Sequence, residues 1–288
     1  MQRNGTKTVR TIGVMGAGIV GSALIDYFPA GGRAEVRIYD PGKGYGTDAA
    51  INEAEVVFIC VPTPHTPGRG FDDSFVLDAV RRIEGEKTVV IKSTVLPGTT
   101  ELLQDRFPQH AFLFNPEFLR AATASDDFLH PDRQIVGCTA RSRSEAEHVM
   151  ALLPRASFEL ICPATDAEMA KFVANSFLAV KVSFANEVFD LCEQLGAGYD
   201  AVRAIVGADA RIGPSHLDVF DGGERGYDGM CLPKDTKSLL DLATSAGVPL
   251  DVLRATDSVN ERVRRDAREG PAVRALPHAA PVPAERAA

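Results

Sequence analysis

The sequence predicts an α/β fold: an N-terminal Rossmann-type parallel sheet, followed by a long central helix and a small all-helical domain. Three observations predict it. Short apolar runs alternate with helical patterns through the first half of the chain. A glycine-rich turn follows the first of these runs and opens a helix. Beyond Pro163 a helical pattern continues to Leu195 without a glycine or proline.

Taken in order, the candidate strands are TVRTIGV (8–14), EVRIYD (35–40), VVFICV (56–61), TVVIKS (88–93), AFLFN (111–115) and QIVGC (134–138). Between them lie helical stretches with start signals, among them Asp72 ahead of SFVLDAVRRI and Thr99 ahead of TELLQDRF. Thr165 and Glu168 have the spacing of a capping box, and Gly196 supplies a stop, which delimits one long helix. On that helix Met169, Phe172, Val173, Phe177, Val180, Phe184 and Val188 form one apolar arc, with Leu178, Val182 and Phe189 opposite, so a helix buried nearly all round is expected. Shorter helices follow at 199–206, 234–246 and 249–265. The Ala/Pro-rich end has no periodicity and reads as disordered. The expected divisions are 1–163 for the sheet domain, 164–268 for the helical part and 269–288 for the tail.

Length and composition narrow the function classes. At 288 residues, 45% hydrophobic and 24% charged, the chain has room for two domains with a real core, and no apolar run nears the roughly 18 residues of a membrane span. A net charge of −8 without a basic stripe argues against nucleic acid as a partner. The first hydrophobic run is a short strand leading into glycines rather than a signal-peptide core, which points to the cytoplasm. Five widely spread cysteines (60, 138, 162, 192 and 231), with no C-x-x-C pair and no clustered His, argue against disulfides and a metal site.

Several motifs carry chemistry. Gly16, Gly18, Ile19, Val20 and Gly21 lie in a G-x-G-x-x-G turn whose backbone suits a pyrophosphate at a helix N-terminus. Asp40 ends the next strand nineteen residues beyond Gly21, where a carboxylate binds a ribose 2′-hydroxyl and repels a 2′-phosphate, so NAD is favoured over NADP. Val61, Pro62 and Thr63, and likewise Ser93 and Thr94 beside Lys92, sit at strand ends, either lining a cofactor crevice or simply forming loops. Lys171 and Asn175, four apart on the long helix, form either a desolvated amine with an amide donor or a lysine reaching for solvent beside an asparagine that satisfies backbone. Cys231, set between glycines and Lys234-Asp235, is placed as a nucleophile needs to be. Glu117, in Asn115-Pro-Glu-Phe-Leu119, is a candidate base, or else a cap for the next segment or a partner of Arg120.

These stretches, with HPDR and ADARIG, follow one another in an order that resembles the UDP-glucose/GDP-mannose dehydrogenase family over about residues 9–264. The resemblance implies NAD-dependent oxidation of a nucleotide-sugar primary alcohol, through the aldehyde, to a carboxylate. It implies Cys231 as the nucleophile that holds the aldehyde as a thiohemiacetal and then a thioester, and Lys171 and Asn175 as oxyanion donors. By the same resemblance Asp235 would order a water, Glu117 would assist thioester hydrolysis, Thr94 would lie near the nicotinamide, and Lys234 would adjoin the nucleophile. Phe118, Leu119, Arg120, Arg211 and Gly226 are implied substrate contacts alongside Lys171 and Asn175. A homodimer through helix 165–195 is implied as well.

The departures from the family pattern are specific. Ala121 stands where a second glutamate is usual, Asp228 stands where a glycine is usual, and the stretch between Asp40 and Val56 is shorter. The chain also reads as a shortened form without the family's C-terminal nucleotide-binding domain. Two alternatives stay open on the sequence: a two-electron dehydrogenase of the β-hydroxyacid type acting on a smaller substrate, and a non-catalytic NAD-binding homologue.

Overall fold

The computed structural model describes residues 9–221 and 223–269. The expected tail from residue 270 onward lies outside the described residues. Along the chain run β1 (Thr11–Met15), α1 (Ile19–Tyr27), β2 (Glu35–Tyr39), α2 (Asp48–Asn52), β3 (Val56–Ile59), β4 (His65–Thr66), β5 (Gly70–Phe71), α3 (Ser74–Arg81), β6 (Thr88–Ile91), α4 (Thr99–Arg106), β7 (Ala111–Phe114), α5 (Ala124–Leu129), β8 (Arg133–Cys138), α6 (Arg143–Leu152) and β9 (Phe158–Pro163). There follow α7 (Ala164–Leu195), α8 (Tyr199–Gly207), β10 (Phe220–Asp221), β11 (Glu224–Arg225), α9 (Leu232–Ser245) and α10 (Asp251–Glu269).

A seven-stranded sheet in the order β2-β1-β3-β6-β7-β8-β9 organises the first part, and every neighbouring pair is parallel except β7 with β8. The central strands are apolar almost without interruption because both of their faces are covered: every residue of β3 is buried, and so are Val89, Val90 and Ile91 of β6. One face packs Ile12, Val14, Leu24, Phe28 and Phe58, and the other packs Met15, Ile59, Val80, Ile91 and Phe114. Strand β1 lies between β2 and β3, so the chain reverses direction across the sheet there. The turns after β1, β2, β3, β6 and β7 all leave the same sheet edge, the place where open α/β sheets hold ligands.

The strand β9 and the hairpins β4–β5 and β10–β11 escaped the sequence reading. FELICP forms the seventh strand at the sheet edge, and its half-exposed alternation is easily taken for a connection into the next helix. The stretch after Pro64 forms the hairpin β4–β5.

The chain divides into two compact units. Of the described residues, the first takes those from 9 to 177 together with Met230–Leu250, and the second takes those of 178–229 and 251–269. Helix α7 runs from the first into the second. In the second unit, Ala185, Leu217 and Val219 pack with Phe189 and Tyr199, and Ser183 Oγ donates to Thr256 O at 2.9 Å. Tyr227 and Asn260 exchange hydrogen bonds of 2.7 and 3.0 Å.

Helix α7 corrects two expectations. Glu168 does not close a capping box on its own helix. Its carboxylate instead accepts from the Gly98 N–H (2.6 Å), the Thr100 N–H (2.8 Å) and the Thr100 hydroxyl (2.6 Å), so it caps the start of α4. Nor is α7 buried all round. It buries Glu168, Lys171, Phe172, Asn175, Ala179, Val182 and Ala185, while Met169, Val173, Phe177 and Phe184 stand exposed, the last two at 63% and 64%. Glu168, Lys171 and Asn175 are turned inward because they have partners there, and of the apolar arc Phe172 is buried while these four residues are left outside. Among the described residues, no helix is long and apolar enough to cross a membrane.

Candidate active site

The glycine-rich turn is shaped by close approach. Gly16 has φ 94°, donates its N–H to Tyr39 O at 2.8 Å, and would carry a Cβ only 2.6 Å from Cys60 O. A Cβ on Gly21 would fall 1.8 Å from Gly16 O, so α1 can rest against the turn only with glycine at that position. Above Gly18, the N-cap of α1, there is open space, and no side chain caps the helix. The first-turn N–H groups, those of Ile19, Val20 and Gly21, are left for an anion. Asp40 Oδ2 accepts from the Ala17 N–H at 2.8 Å, and Lys43 Nζ donates to Ala17 O at 2.6 Å, which fixes carboxylate and turn together. Ser93 Oγ donates to Val61 O at 2.7 Å and joins two of the predicted loops. Thr63 is buried, and Thr94 is half-buried beside Ser93. An uncapped helix start, an open cradle at Gly18 and an acid at the end of β2 fit a dinucleotide lacking a 2′-phosphate.

A second group gathers at the same edge. The chain leaving β7 passes through Asn115, whose Oδ1 accepts from Lys92 Nζ at 2.6 Å and whose Nδ2 donates to Gln134 Oε1 (2.8 Å) and Ile135 O (2.6 Å). Two residues later Glu117 meets Lys171 of α7. Lys171 Nζ donates to the Glu117 carbonyl at 2.6 Å and to its carboxylate at 2.8 Å, and Oε2 accepts from the Leu119 N–H at 2.8 Å. With 3% of its side chain exposed, Lys171 does not reach for solvent. Phe118 lies between cations, with Arg133 Cζ 3.7 Å and Lys171 Nζ 5.4 Å from its ring centroid.

One turn further along α7, Asn175 Nδ2 donates to Asp235 Oδ2 at 2.5 Å rather than to backbone. Asp235 is fully buried in the first turn of α9, where a carboxylate is favoured, and its other oxygen accepts from Lys234 Nζ at 2.5 Å. Cys231 is the N-cap of α9 and is exposed. The hairpin β4–β5 completes the group from another side. His65 Nε2 lies 2.8 Å from Asp241 Oδ2 on α9, and Phe71 sets its ring edge-on to Phe172 with Lys234 Nζ 5.5 Å above it.

Electrostatics follow from this packing. Burial would raise the Glu117 carboxyl, but the charge and hydrogen bond of Lys171, the Leu119 N–H and the charge of Lys92 hold it below the ordinary carboxylate value. Burial raises the Cys231 thiol, and Glu117 adds to that rise while Lys171 opposes it. Burial brings Lys92 down to about 8, and burial pushes the neighbouring Cys60 thiol up to about 12.

Of the residues read from the sequence, Cys231, Lys171, Glu117, Asn175, Asp235, Lys234 and Phe118 form one connected group in the first unit. Leu119 packs against the sheet core. Arg120 is drawn to Asp127 (2.5 Å) instead of Glu117. Arg211 and Gly226 belong to the second unit. There Arg211 pairs with Asp209 (2.5 Å), and Gly226, at φ 78°, abuts Asn260 so closely that a Cβ would lie 2.6 Å from its Oδ1. Asp228 joins Glu224 in pairing with Arg264. The sequence reading placed Lys92 at a strand end beside the crevice but not its contact with Asn115, and it missed Phe71 and His65. Only Lys92 left a signal, as a charged residue inside an otherwise apolar strand end.

Comparison with known proteins finds one family along most of the chain. Residues 45–153 match the NAD binding domain of the UDP-glucose/GDP-mannose dehydrogenase family, and residues 165–262 match its central domain. A UDP-glucose 6-dehydrogenase of Rhizobium meliloti is 36% identical over 232 residues, which is 75% of this chain and 52% of that protein. One of Pseudomonas aeruginosa is 35% identical over 262 residues, 80% of this chain and 57% of that one. The chain thus spans about half the length of the curated relatives it matches. Among solved structures, a UDP-glucose dehydrogenase of Pyrobaculum islandicum superposes with TM-score 0.78 at 28% identity, covering 91% of this chain and 70% of that one. A Mycobacterium tuberculosis 3-hydroxyisobutyrate dehydrogenase shares the fold, with TM-score 0.67 at 17% identity over 90% of this chain and 94% of that one.

Proposed function

Because the chain belongs to the UDP-glucose/GDP-mannose dehydrogenase family, we propose that it oxidises the primary alcohol of a nucleotide sugar to a carboxylate, holding the intermediate covalently on Cys231. The observation that carries this reading is the convergence of Lys171, Glu117, Asn175 and Asp235 from α7, the β7 turn and α9 on the helix start that bears the thiol.

Gly16, Gly18, Gly21 and Asp40 would hold NAD, with Thr94 and Lys234 at its reactive end. Two NAD molecules, bound in turn, would each accept one of the two hydrides that leave the same substrate carbon. The chain's own groups handle protons and charge. Lys171 and one N–H of Asn175 face the alcohol oxygen and stabilise the negative charge it gains as its proton leaves, with Asp235 ordering the water that takes the proton. The Cys231 sulfur then adds to the aldehyde carbon, and the thiol proton goes to the new hydroxyl. Loss of the second hydride and of the hydroxyl proton leaves a thioester. Glu117, kept ionised by Lys171, takes a proton from water as that water adds to the thioester, and the sulfur departs with a proton as the carboxylate is released.

We further read the apolar stripe of α7 (Met169, Val173, Phe177 and Phe184) as the contact between two copies of the chain, since it leaves four large apolar side chains exposed along one helix. The test of the activity is the yield of NADH per substrate across a panel of nucleotide sugars and small hydroxy acids. Two NADH per molecule support the proposal. One NADH per molecule, unaffected by Cys231→Ala, assigns the chain to two-electron chemistry, and NAD binding without any reduction makes it a non-catalytic binder.

A further inference from the structure

Beside the proposed cluster lies a second buried lysine that the scheme above does not use. Lys92 follows β6 and is all but inaccessible. Its hydrogen bond goes to a neutral amide oxygen, Asn115 Oδ1 at 2.6 Å, and the Phe128 ring centroid lies 5.8 Å from Nζ. An ammonium taken out of water with only a carboxamide in contact is costly unless an anion answers it. Cys60, just after β3, is a half-buried thiol that stays neutral at ordinary pH. The charged groups acting on Lys92 are Glu117, attractive, and Lys171, repulsive. Asn115 is itself held on three sides, by Lys92, Gln134 and Ile135, and it is separated from Glu117 only by the stiff Pro116.

We propose that Lys92 is a positioning residue for Glu117: through Asn115 it holds the Asn115-Pro116-Glu117 turn against Lys171, and its charge is the second cation that this carboxylate answers. Lys171 grips Glu117 from α7 at the carbonyl and carboxylate, while Lys92 grips the same turn from the sheet. The carboxylate therefore stays ionised and aimed despite its burial. The groups facing it are Lys171 on α7, the Leu119 N–H on its own segment, Cys231 before α9, Lys92 after β6 and Cys60 after β3. This assignment rests on reading Glu117 as part of the reacting cluster.

The test uses the full chain carrying 13C at lysine Cε and glutamate Cδ, with the Lys92 and Glu117 signals assigned from Lys92→Arg and Glu117→Gln. In the wild type, Lys92 is expected to titrate near 8. In Glu117→Gln its midpoint should fall, because the attractive charge is gone. Reciprocally, Lys92→Met should raise the Glu117 midpoint towards the ordinary carboxylate value, and Lys92→Arg should leave it in place. If Lys92→Met does not fold, the shift of Lys92 in Glu117→Gln alone decides. A Lys92 midpoint unmoved in Glu117→Gln overturns the proposal, and so does a Glu117 midpoint identical in wild type and a folded Lys92→Met. A purely structural lysine would give that null result. These titrations need no turnover, so a chain inactive on every substrate would defeat the proposed oxidation while leaving the coupling measured.

Discussion

Lys171 on α7 and Glu117 after β7, 54 residues apart in the chain, are joined twice, by a 2.6 Å bond to the carbonyl and a 2.8 Å bond to the carboxylate. A lysine bound in this way can neither swing to solvent nor lose its carboxylate without disturbing the turn after β7. It ties the sheet edge to the long helix.

Breaking that pair should be costly. Lys171→Ala leaves a buried carboxylate with its main partner gone, and a loss of about 3–5 kcal/mol in denaturant unfolding is expected. Glu117→Gln should reveal the pH linkage. Because the folded-state carboxyl lies below its unfolded value of 4.5, it contributes stability that is present above that pH and fades as pH falls through the folded value. The stability difference between wild type and Glu117→Gln should therefore shrink on acidification below about 4.5. A difference that holds constant down to the acid transition would contradict the pairing.

Glu168 is a cap for a helix other than its own. Glu168→Ala removes three acceptor contacts at the start of α4 and leaves buried N–H groups unpaired, so roughly 2 kcal/mol or more should be lost. Thermal unfolding of this variant against Thr165→Ala separates the two assignments. The capping box read from the sequence would make the two comparable, whereas the observed contacts make Glu168 much the costlier.

That difference marks where sequence stopped being informative. Apolar runs and the glycine turn announced the sheet, because central parallel strands must be apolar on both faces and Gly16 and Gly21 tolerate no Cβ. The residues later found connected, Lys171, Asn175, Asp235, Glu117 and Cys231, were legible as polar or reactive types in segments that had no local use for them. Spacing along one helix, however, says which residues share a face and not which face is covered. The apolar arc of α7 was therefore read as buried, although the fold turns Glu168, Lys171 and Asn175 inward. Partners drawn from distant segments, Thr100 for Glu168 and Asn115 for Lys92, leave no trace in local pattern.

The exposed arc gives a prediction of its own. Phe177→Glu with Phe184→Glu should convert a dimer to a monomer in light scattering without lowering the melting temperature of the monomeric chain, because both rings face outward. A wild-type chain that scatters as a monomer at micromolar concentration would remove the stripe from the account.

Cys231 is exposed but has a raised thiol, so its reactivity should depend with opposite signs on Glu117 and Lys171, two of its charged neighbours. Alkylation by iodoacetamide, followed by intact mass, should accelerate as pH rises, with a midpoint above the ordinary thiol value. Glu117→Gln removes a charge that raises the thiol and should bring the midpoint down. Lys171→Met removes one that lowers it and should move the midpoint up. Equal midpoints in all three proteins would separate the sulfur from the pair.

The central claim is a covalent acyl intermediate on that sulfur, and it is most directly tested by quenching a reaction of Glu117→Gln, in which thioester hydrolysis is slowed, and weighing the peptide that carries Cys231. The account predicts an adduct equal to the substrate less four hydrogens, formed only with NAD and absent in Cys231→Ala. Substrate consumed with NADH released, and an unmodified Cys231 peptide at every quench time, would contradict it.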